Sequence, residues 1–134
     1  FLSMHRFPFY PGTGAADEIG EGAGKGLTVN VPIEFGTSRK TQIDLFRSET
    51  EKLAETFRPE LILISAGFDS HKDDPVGSLG LESEDFATLT DTVMNLAATH
   101  CEGRIISLLE GGYNPTALAE SIQQHLQRLT KPNG

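Results

Sequence analysis

Apolar and polar residues follow two periods along this chain. Positions 1–4, Phe-Leu-Ser-Met, look like the end of a buried strand. Over 27–33, Leu27, Val29, Val31 and Ile33 are apolar and Thr28, Asn30 and Pro32 stand between them. That period of two predicts a strand with one face more buried, and Pro32 suits a strand end or edge. Positions 61–66, Leu-Ile-Leu-Ile-Ser-Ala, form an apolar run too short for a solitary helix. It predicts a strand buried on both faces, bounded by Pro59 and Gly67. A second strongly apolar strand is predicted over 104–109.

Between these runs the period lengthens to that of a helix. Ile43, Phe46, Leu53, Ala54 and Phe57 share one face, opposite Arg47, Glu51, Lys52 and Glu55. Thr37 or Ser38 caps this helix and Arg58-Pro59 ends it. Ser83 is the predicted cap of a second helix, where Glu84 and Asp85 suit the positive end. Phe86, Leu89, Val93, Leu96 and Ala97 form its stripe, and Gly103 closes it. Asn114 followed by Pro115 starts a third helix, with Leu118, Ile122, Leu126 and Leu129 on the inner face. The tail Thr130 to Gly134 is polar and is expected to fray. The order strand, loop, strand, helix, strand, helix, strand, helix predicts an α/β fold, a parallel sheet with helices on both faces. Crossovers in such sheets are right-handed, and the strands at 61–66 and 104–109 are expected to be neighbours. The loops after them then share one crevice, beyond the carboxyl ends of the strands, where ligands bind in such sheets.

Composition changes little in this picture. The 134 residues suffice for one domain, and 37% hydrophobic with 22% charged residues is ordinary for a globular protein. A net charge of −8 argues against direct binding of nucleic acid or an anionic membrane, since both require a basic face. The single cysteine, Cys101, excludes an internal disulfide and fits a reducing compartment, so the expected location is cytoplasmic. The chain shows no membrane-spanning run and no signal-peptide pattern, and its start at Phe1 reads as a truncation on the left.

Chemistry concentrates after the two apolar strands. Asp69, His71, Asp73 and Asp74 fall within six positions, followed by Pro75-Val76-Gly77. Asp69 suits a metal ligand, a general base or the partner of a histidine; the plainer reading is a turn cap. His71 could point the same way as Asp69, but a surface-loop histidine is commoner. After the second strand, Gly111-Gly112 lets the backbone approach a ligand, and Tyr113 offers a hydroxyl to a developing oxyanion. The loop over 7–14 holds Phe7, Phe9 and Tyr10 among two prolines and two glycines, and these aromatics either wall a pocket or pack beneath the loop. Gly24-Lys25 is not a phosphate loop: Ile19 stands where the first glycine belongs, Gly26 replaces the hydroxyl residue, and a strand follows. No Gly-x-Ser-x-Gly elbow supports a nucleophile triad built on Asp69. A catalytic zinc needs three protein ligands. Asp69, with His71 and the remaining His5, His100 and His125, does not complete such a set.

Four segments together resemble one family. They are Phe-Tyr-Pro-Gly-Thr-Gly (9–14), Leu-Thr-Val-Asn-Val-Pro-Ile (27–33), Ile-Ser-Ala-Gly-Phe-Asp-Ser-His-Lys-Asp-Asp-Pro-Val-Gly (64–77) and Leu-Leu-Glu-Gly-Gly-Tyr-Asn (108–114). They look like the zinc-dependent histone deacetylases, with the acetoin-utilisation proteins and acetylpolyamine amidohydrolases. Gly-Phe-Asp, where a Gly-Ala-Asp pattern is the alternative, leans toward class II. The likeness runs from residue 1 to about 129 in the family's order. It implies an arginase-like α/β fold and a zinc-dependent amidohydrolase acting on acetyl-lysine or a related acetylated amine. Asp69 resembles a zinc ligand and Tyr113 the catalytic tyrosine. Tyr10, Pro75, Val76, Gly111 and Gly112 resemble residues of the substrate pocket. Ser3 and Met4 resemble contributors to a structural potassium site. His71 has no ligand counterpart. The family's tandem histidines and Asp-x-His zinc pair lie upstream of the position matching Phe1. Residues 1–134 therefore resemble the C-terminal part of a single deacetylase domain, whose N-terminal half is absent, and the fragment alone is expected to be inactive. The alternative is a non-enzymatic binding module on the same fold.

Overall fold

A computed structural model describes residues 1–130 of the chain. Four strands and three α-helices follow one another as β1 (Leu2–Arg6), β2 (Val29–Ile33), α1 (Arg39–Phe57), β3 (Ile62–Ala66), α2 (Ser83–His100), β4 (Ile105–Leu109) and α3 (Pro115–Leu129). All pairing between these strands is parallel. Leu2 lies opposite Val29 in the first pair, and Ile62 opposite Ile105 in the second. Within this chain the four strands form two separate pairs, β1 with β2 and β3 with β4.

Local signals account for several boundaries. Ser38 caps α1 by accepting from Thr41 N, and Arg58 ends it in a left-handed conformation at φ 51°, just before Pro59. Asn114 caps α3 by accepting from Thr116 N and Ala117 N, with Pro115 at the first helical position. The start of α2 differs from expectation. Ser83 is its first residue, and the cap is Glu82 in a reciprocal capping box with Asp85. Those carboxylates are chosen by tertiary partners: Arg39 of α1 reaches Asp85 at 2.7 Å and Glu82 at 2.8 Å, and Lys72 reaches Glu82 at 2.9 Å.

Two apolar clusters hold the chain together. Ala66, Phe68, Leu81 and Phe86 form one, with Ile64, Leu89, Leu118 and Ile122 packed against it. Val31, Ile33 and Leu79 form the other, with Leu2, Met4, Val29 and Leu45. The segment between β3 and α2 supplies Phe68 and Leu81 to the first and Leu79 to the second. Each such side chain contributes roughly 1.5–3 kcal/mol on burial, so the loop that follows β3 is anchored at both ends. Gln42 of α1, fully buried, adds to this by donating to Leu79 O at 2.7 Å and Thr37 O at 2.9 Å.

Helix faces depart from the apolar pattern where polar groups find partners. Ala117, Ser121 and His125 are the buried residues of α3, while Leu126 is exposed. His125 sits between Thr90 Oγ1 at 2.7 Å and Ser107 Oγ at 2.9 Å, which makes an inward histidine affordable. On α1, Phe57 is exposed and Gln42 is inside. The burial of residues 61–66 on both faces is corrected too. The helices cover one face of the β3–β4 pair, through Ile64 and Ala66. On the other, Leu63 is 64% exposed beside Ile106 at 49%, and Leu108 is 54% exposed.

Candidate active site

Beyond β3 and β4 the two segments stay side by side. Glu110 N donates to Ala66 O at 3.0 Å and Phe68 N to Gly111 O at 2.8 Å, so the pairing runs two residues past the strand ends. The buried Phe68 ring points into the core. Asp69, next in the chain, stands against glycine backbone on three sides. A Cβ on Gly111 would lie 3.0 Å from the Asp69 carboxyl carbon, one on Gly67 3.3 Å from Oδ1, and one on Gly77 2.2 Å from its carbonyl oxygen. Side chains at Gly67 or Gly111 would crowd this carboxylate, and one at Gly77 would collide with the Asp69 main chain. Burial pushes the Asp69 carboxyl above its ordinary 3.8; its own backbone N–H offsets part of this, and the nearby charge of Asp74 adds to it. No ion pair among the described residues includes Asp69. A half-buried carboxylate with no cationic partner is the donor chemistry that fits a bound metal. Among the described residues, no three His, Cys, Asp or Glu side chains converge as a complete metal site.

Asp74 has the opposite environment. Burial alone would raise its carboxyl, but backbone N–H groups of Tyr113, Val76, Gly77 and Asn114 outweigh that and hold it below 3.8. Oδ1 accepts from Val76 N at 2.8 Å and Gly77 N at 3.0 Å, and Oδ2 accepts from Tyr113 N at 2.8 Å. Asn114 Nδ2 adds a bond to Asp73 O at 2.9 Å. The loop that carries Asp69 and the loop that carries Tyr113 are thus joined through one buried carboxylate. The sequence reading counted Asp74 in the acidic cluster but gave it no role, although Asp-Pro-x-Gly is a turn signature in which the carboxylate bonds backbone two residues on.

Tyr113 itself is 56% exposed. The glycine before it adopts φ 141°, and a Cβ there would meet Leu118 Cδ1 at 2.5 Å, so Gly112 is required both for conformation and for space. Pro75 and Val76 are exposed on the Asp69 loop. Tyr10 is 90% exposed on the loop after β1. That loop is tied to the site through Arg6, which sequence reasoning also passed over. Its guanidinium lies 4.3 Å from the centre of the Phe9 ring and 4.8 Å from that of Phe35, and it donates to Gly77 O at 3.1 Å. Ser3 and Met4 lie on β1. Ser3 Oγ bonds His5 Nδ1 at 2.9 Å, and Met4 packs on the cluster around Val31.

His71 is structural. It is 4% exposed and bridges to Leu81. Nδ1 accepts from Asp73 N at 3.1 Å, which leaves the proton on Nε2, 3.3 Å from Ser83 Oγ. Both ring nitrogens are therefore engaged away from Asp69. A shallow cavity of about 530 Å³ lies elsewhere, lined by Thr13, Asp17, Glu18, Glu21 and Asn30 among others, and includes neither Asp69 nor Tyr113.

The chain that carries this arrangement, a half-buried carboxylate and an exposed tyrosine on adjacent loops of a parallel α/β fold, has relatives. The histone deacetylase domain matches residues 1–129. A "Probable deacetylase" of Archaeoglobus fulgidus is 40% identical over 114 residues, covering 85% of this chain and 32% of that protein. "Histone deacetylase 14, chloroplastic" of Arabidopsis thaliana is 36% identical over 129 residues, covering 96% of this chain and 30% of that protein. The crystal structure of the HDA15 HD domain superposes with a TM-score of 0.87 at 36% identity, covering 96% of this chain and 36% of that one. The chain belongs to the histone deacetylase family. It spans about a third of the length of these relatives.

Proposed function

We propose that residues 1–134 form the C-terminal part of a single zinc-dependent deacetylase domain. The intact protein hydrolyses the amide of acetyl-lysine or of a related acetylated amine such as an acetylpolyamine, and this segment alone is inactive. The observation that carries the reading is Asp69: a half-buried carboxylate without a cationic partner among the described residues, pressed against Gly111 of the loop that ends in Tyr113. Asp69 holds zinc, and the other ligands come from the portion of the domain that the chain does not span. Zinc, when bound, supplies Lewis-acid activation of water and of the acyl carbonyl. Tyr113 donates its phenolic proton in a hydrogen bond to the oxyanion that develops on that carbonyl. Gly111 and Gly112 keep the backbone low beside the carboxylate, and Tyr10, Pro75 and Val76 line the approach of the acylated side chain. Ser3 and Met4 contribute backbone and side-chain groups to a structural potassium site. Acetate and a free amine are the products.

The test is turnover of an acetyl-lysine peptide and of an acetylpolyamine by the intact protein, before and after chelation. Activity that disappears on chelation and returns with zinc is expected. The 134-residue chain should show neither turnover nor micromolar zinc affinity, since it offers one secure ligand where three are needed. Turnover that survives chelation, or an intact protein that takes up zinc and hydrolyses neither substrate, defeats the reading.

Gly111→Ala is a second check. Its methyl group would stand 3.0 Å from the Asp69 carboxyl carbon, and the carboxylate must shift by a few tenths of an ångström. Zinc retention is expected to fall by about 10–100-fold, the range seen when the support of a metal ligand is disturbed. Competition with a chelating dye measures this, and an unchanged affinity shows that Asp69 is not held by this glycine.

A further inference from the structure

The structure assigns a positioning role to Asp74: through its carboxylate it sets the Tyr113 loop against the Asp69 loop. This inference rests on the deacetylase reading of Asp69 and Tyr113, and it concerns a residue that touches neither substrate nor metal in that reading. The argument begins from accessibility. Asp74 is 4% exposed, yet it carries no cationic partner among the described residues; its bonds are to backbone N–H groups. A buried carboxylate is costly unless its lone pairs are satisfied, and here both oxygens are used. Two of the three bonds, to Val76 N and Gly77 N, close its own turn. The third crosses to Tyr113 N, 39 residues away. A turn cap needs only the first two.

The crossing bond bears on geometry at the reacting atoms. Tyr113 is half-exposed, so its own side chain does little to fix its main chain. Asp74 Oδ2 fixes its N–H instead. The other oxygen fixes Gly77, whose α-carbon side is pressed on the Asp69 carbonyl and whose own carbonyl accepts from Arg6 Nη1 at 3.1 Å. One carboxylate thereby joins the tyrosine loop to the segment that backs the metal-binding aspartate. Neutralising it cannot preserve the pattern. In Asp74→Asn one acceptor oxygen is replaced by an NH₂ group, which faces either the Tyr113 N–H or the pair from Val76 and Gly77, a donor against donors.

Two measurements test the assignment. In the intact protein, Asp74→Asn is expected to lower kcat by about 10²-fold, the loss expected from a displacement near 1 Å, with KM and zinc content changed by less than about twofold. Because the loss is routed through Tyr113, it should largely vanish in a Tyr113→Phe background. Full multiplication of the two losses, or a loss of zinc in step with kcat, overturns the assignment. Asp74→Glu, which retains two acceptor oxygens and the charge, should recover part of the loss. Should Asp74→Asn not fold, Asp74→Glu in the same cycle with Tyr113→Phe takes its place.

The second measurement is amide hydrogen exchange on the unsubstituted protein, which needs neither metal nor activity. The Tyr113 N–H should be protected by roughly 10²-fold or more despite its exposed ring, together with those of Val76 and Gly77. An unprotected Tyr113 amide refutes the bond on which the assignment stands. If the intact protein has no deacetylase activity, the proposed function fails, and exchange alone decides whether Asp74 ties the two loops.

Discussion

Tyr113→Phe in the intact protein is expected to lower kcat by about 10²–10³-fold, roughly 3–4 kcal/mol of transition-state stabilisation, the loss that removal of one oxyanion donor brings. The phenol ring is 56% exposed, so removing its hydroxyl leaves no buried group without a partner and no cavity. Melting temperature and zinc content are therefore expected to stay within the error of their measurement. KM moves much less than kcat, because the donor matters most once charge develops on the carbonyl oxygen. The backbone N–H that Asp74 holds is untouched by this substitution, so the loop keeps its place. Steady-state kinetics on acetyl-lysine peptide, with metal analysis of the same sample, decides the matter. A near-normal kcat makes Tyr113 a structural residue, and a zinc-depleted variant makes it an organiser of the metal.

Asp69→Asn is expected to act in opposite directions on metal binding and on the metal-free fold. The amide is a poor ligand, so zinc affinity is expected to fall by more than about 100-fold, beyond the usual cost of losing a mere supporting group, and activity falls with it. The metal-stripped protein responds differently. Burial raises the Asp69 carboxyl above its ordinary 3.8, with the charge of Asp74 adding to the effect. A raised carboxyl contributes stability that is fully present below the unfolded value and is lost as pH rises through the folded one. At neutral pH the ionised Asp69 therefore costs stability that the neutral amide does not. The metal-stripped Asp69→Asn variant should melt higher than the unsubstituted protein at pH 7, and the gap should close as pH is lowered toward 4. Asp74 has the reverse sign: its lowered carboxyl stabilises the fold above 3.8, and that contribution disappears in more acid solution. Thermal melts across this range, with chelator present, check both. A metal-stripped variant that melts lower at pH 7 would mean that the Asp69 carboxylate is compensated inside the protein.

The caps of α1 and α3 were legible because they are local. Ser38 and Asn114 each bond N–H groups two or three residues ahead, and Pro59 and Pro115 constrain the adjacent backbone whatever surrounds them. The parallel neighbours β3 and β4 followed from the order of elements, and the loops meeting beyond them from the same rule. Asp69, Gly111, Gly112 and Tyr113 were visible as motif residues for that reason: short, unbroken stretches of chain carry them. The start of α2 was not. Ser83 is the better cap by local chemistry, but Arg39 and Lys72 arrive from other parts of the chain and draw the cap to Glu82.

By itself, then, the sequence determined the strands, the helices, their parallel α/β order and the motif residues, since each depends on neighbours within a turn or a strand length. Only the tertiary structure decided which polar groups lie inside. Gln42 is buried because Leu79 O and Thr37 O meet its amide, and His125 because Thr90 and Ser107 flank its ring. It likewise separated two aspartates that look alike in sequence: Asp74 meets a ring of backbone donors, and Asp69 meets glycine backbone and, among the described residues, no counter-charge. The open face at Leu63, Ile106 and Leu108 has the same origin. An apolar strand states that its side chains favour burial; whether a face is covered depends on which other elements reach it, and α2 and α3 reach only one side of the β3–β4 pair.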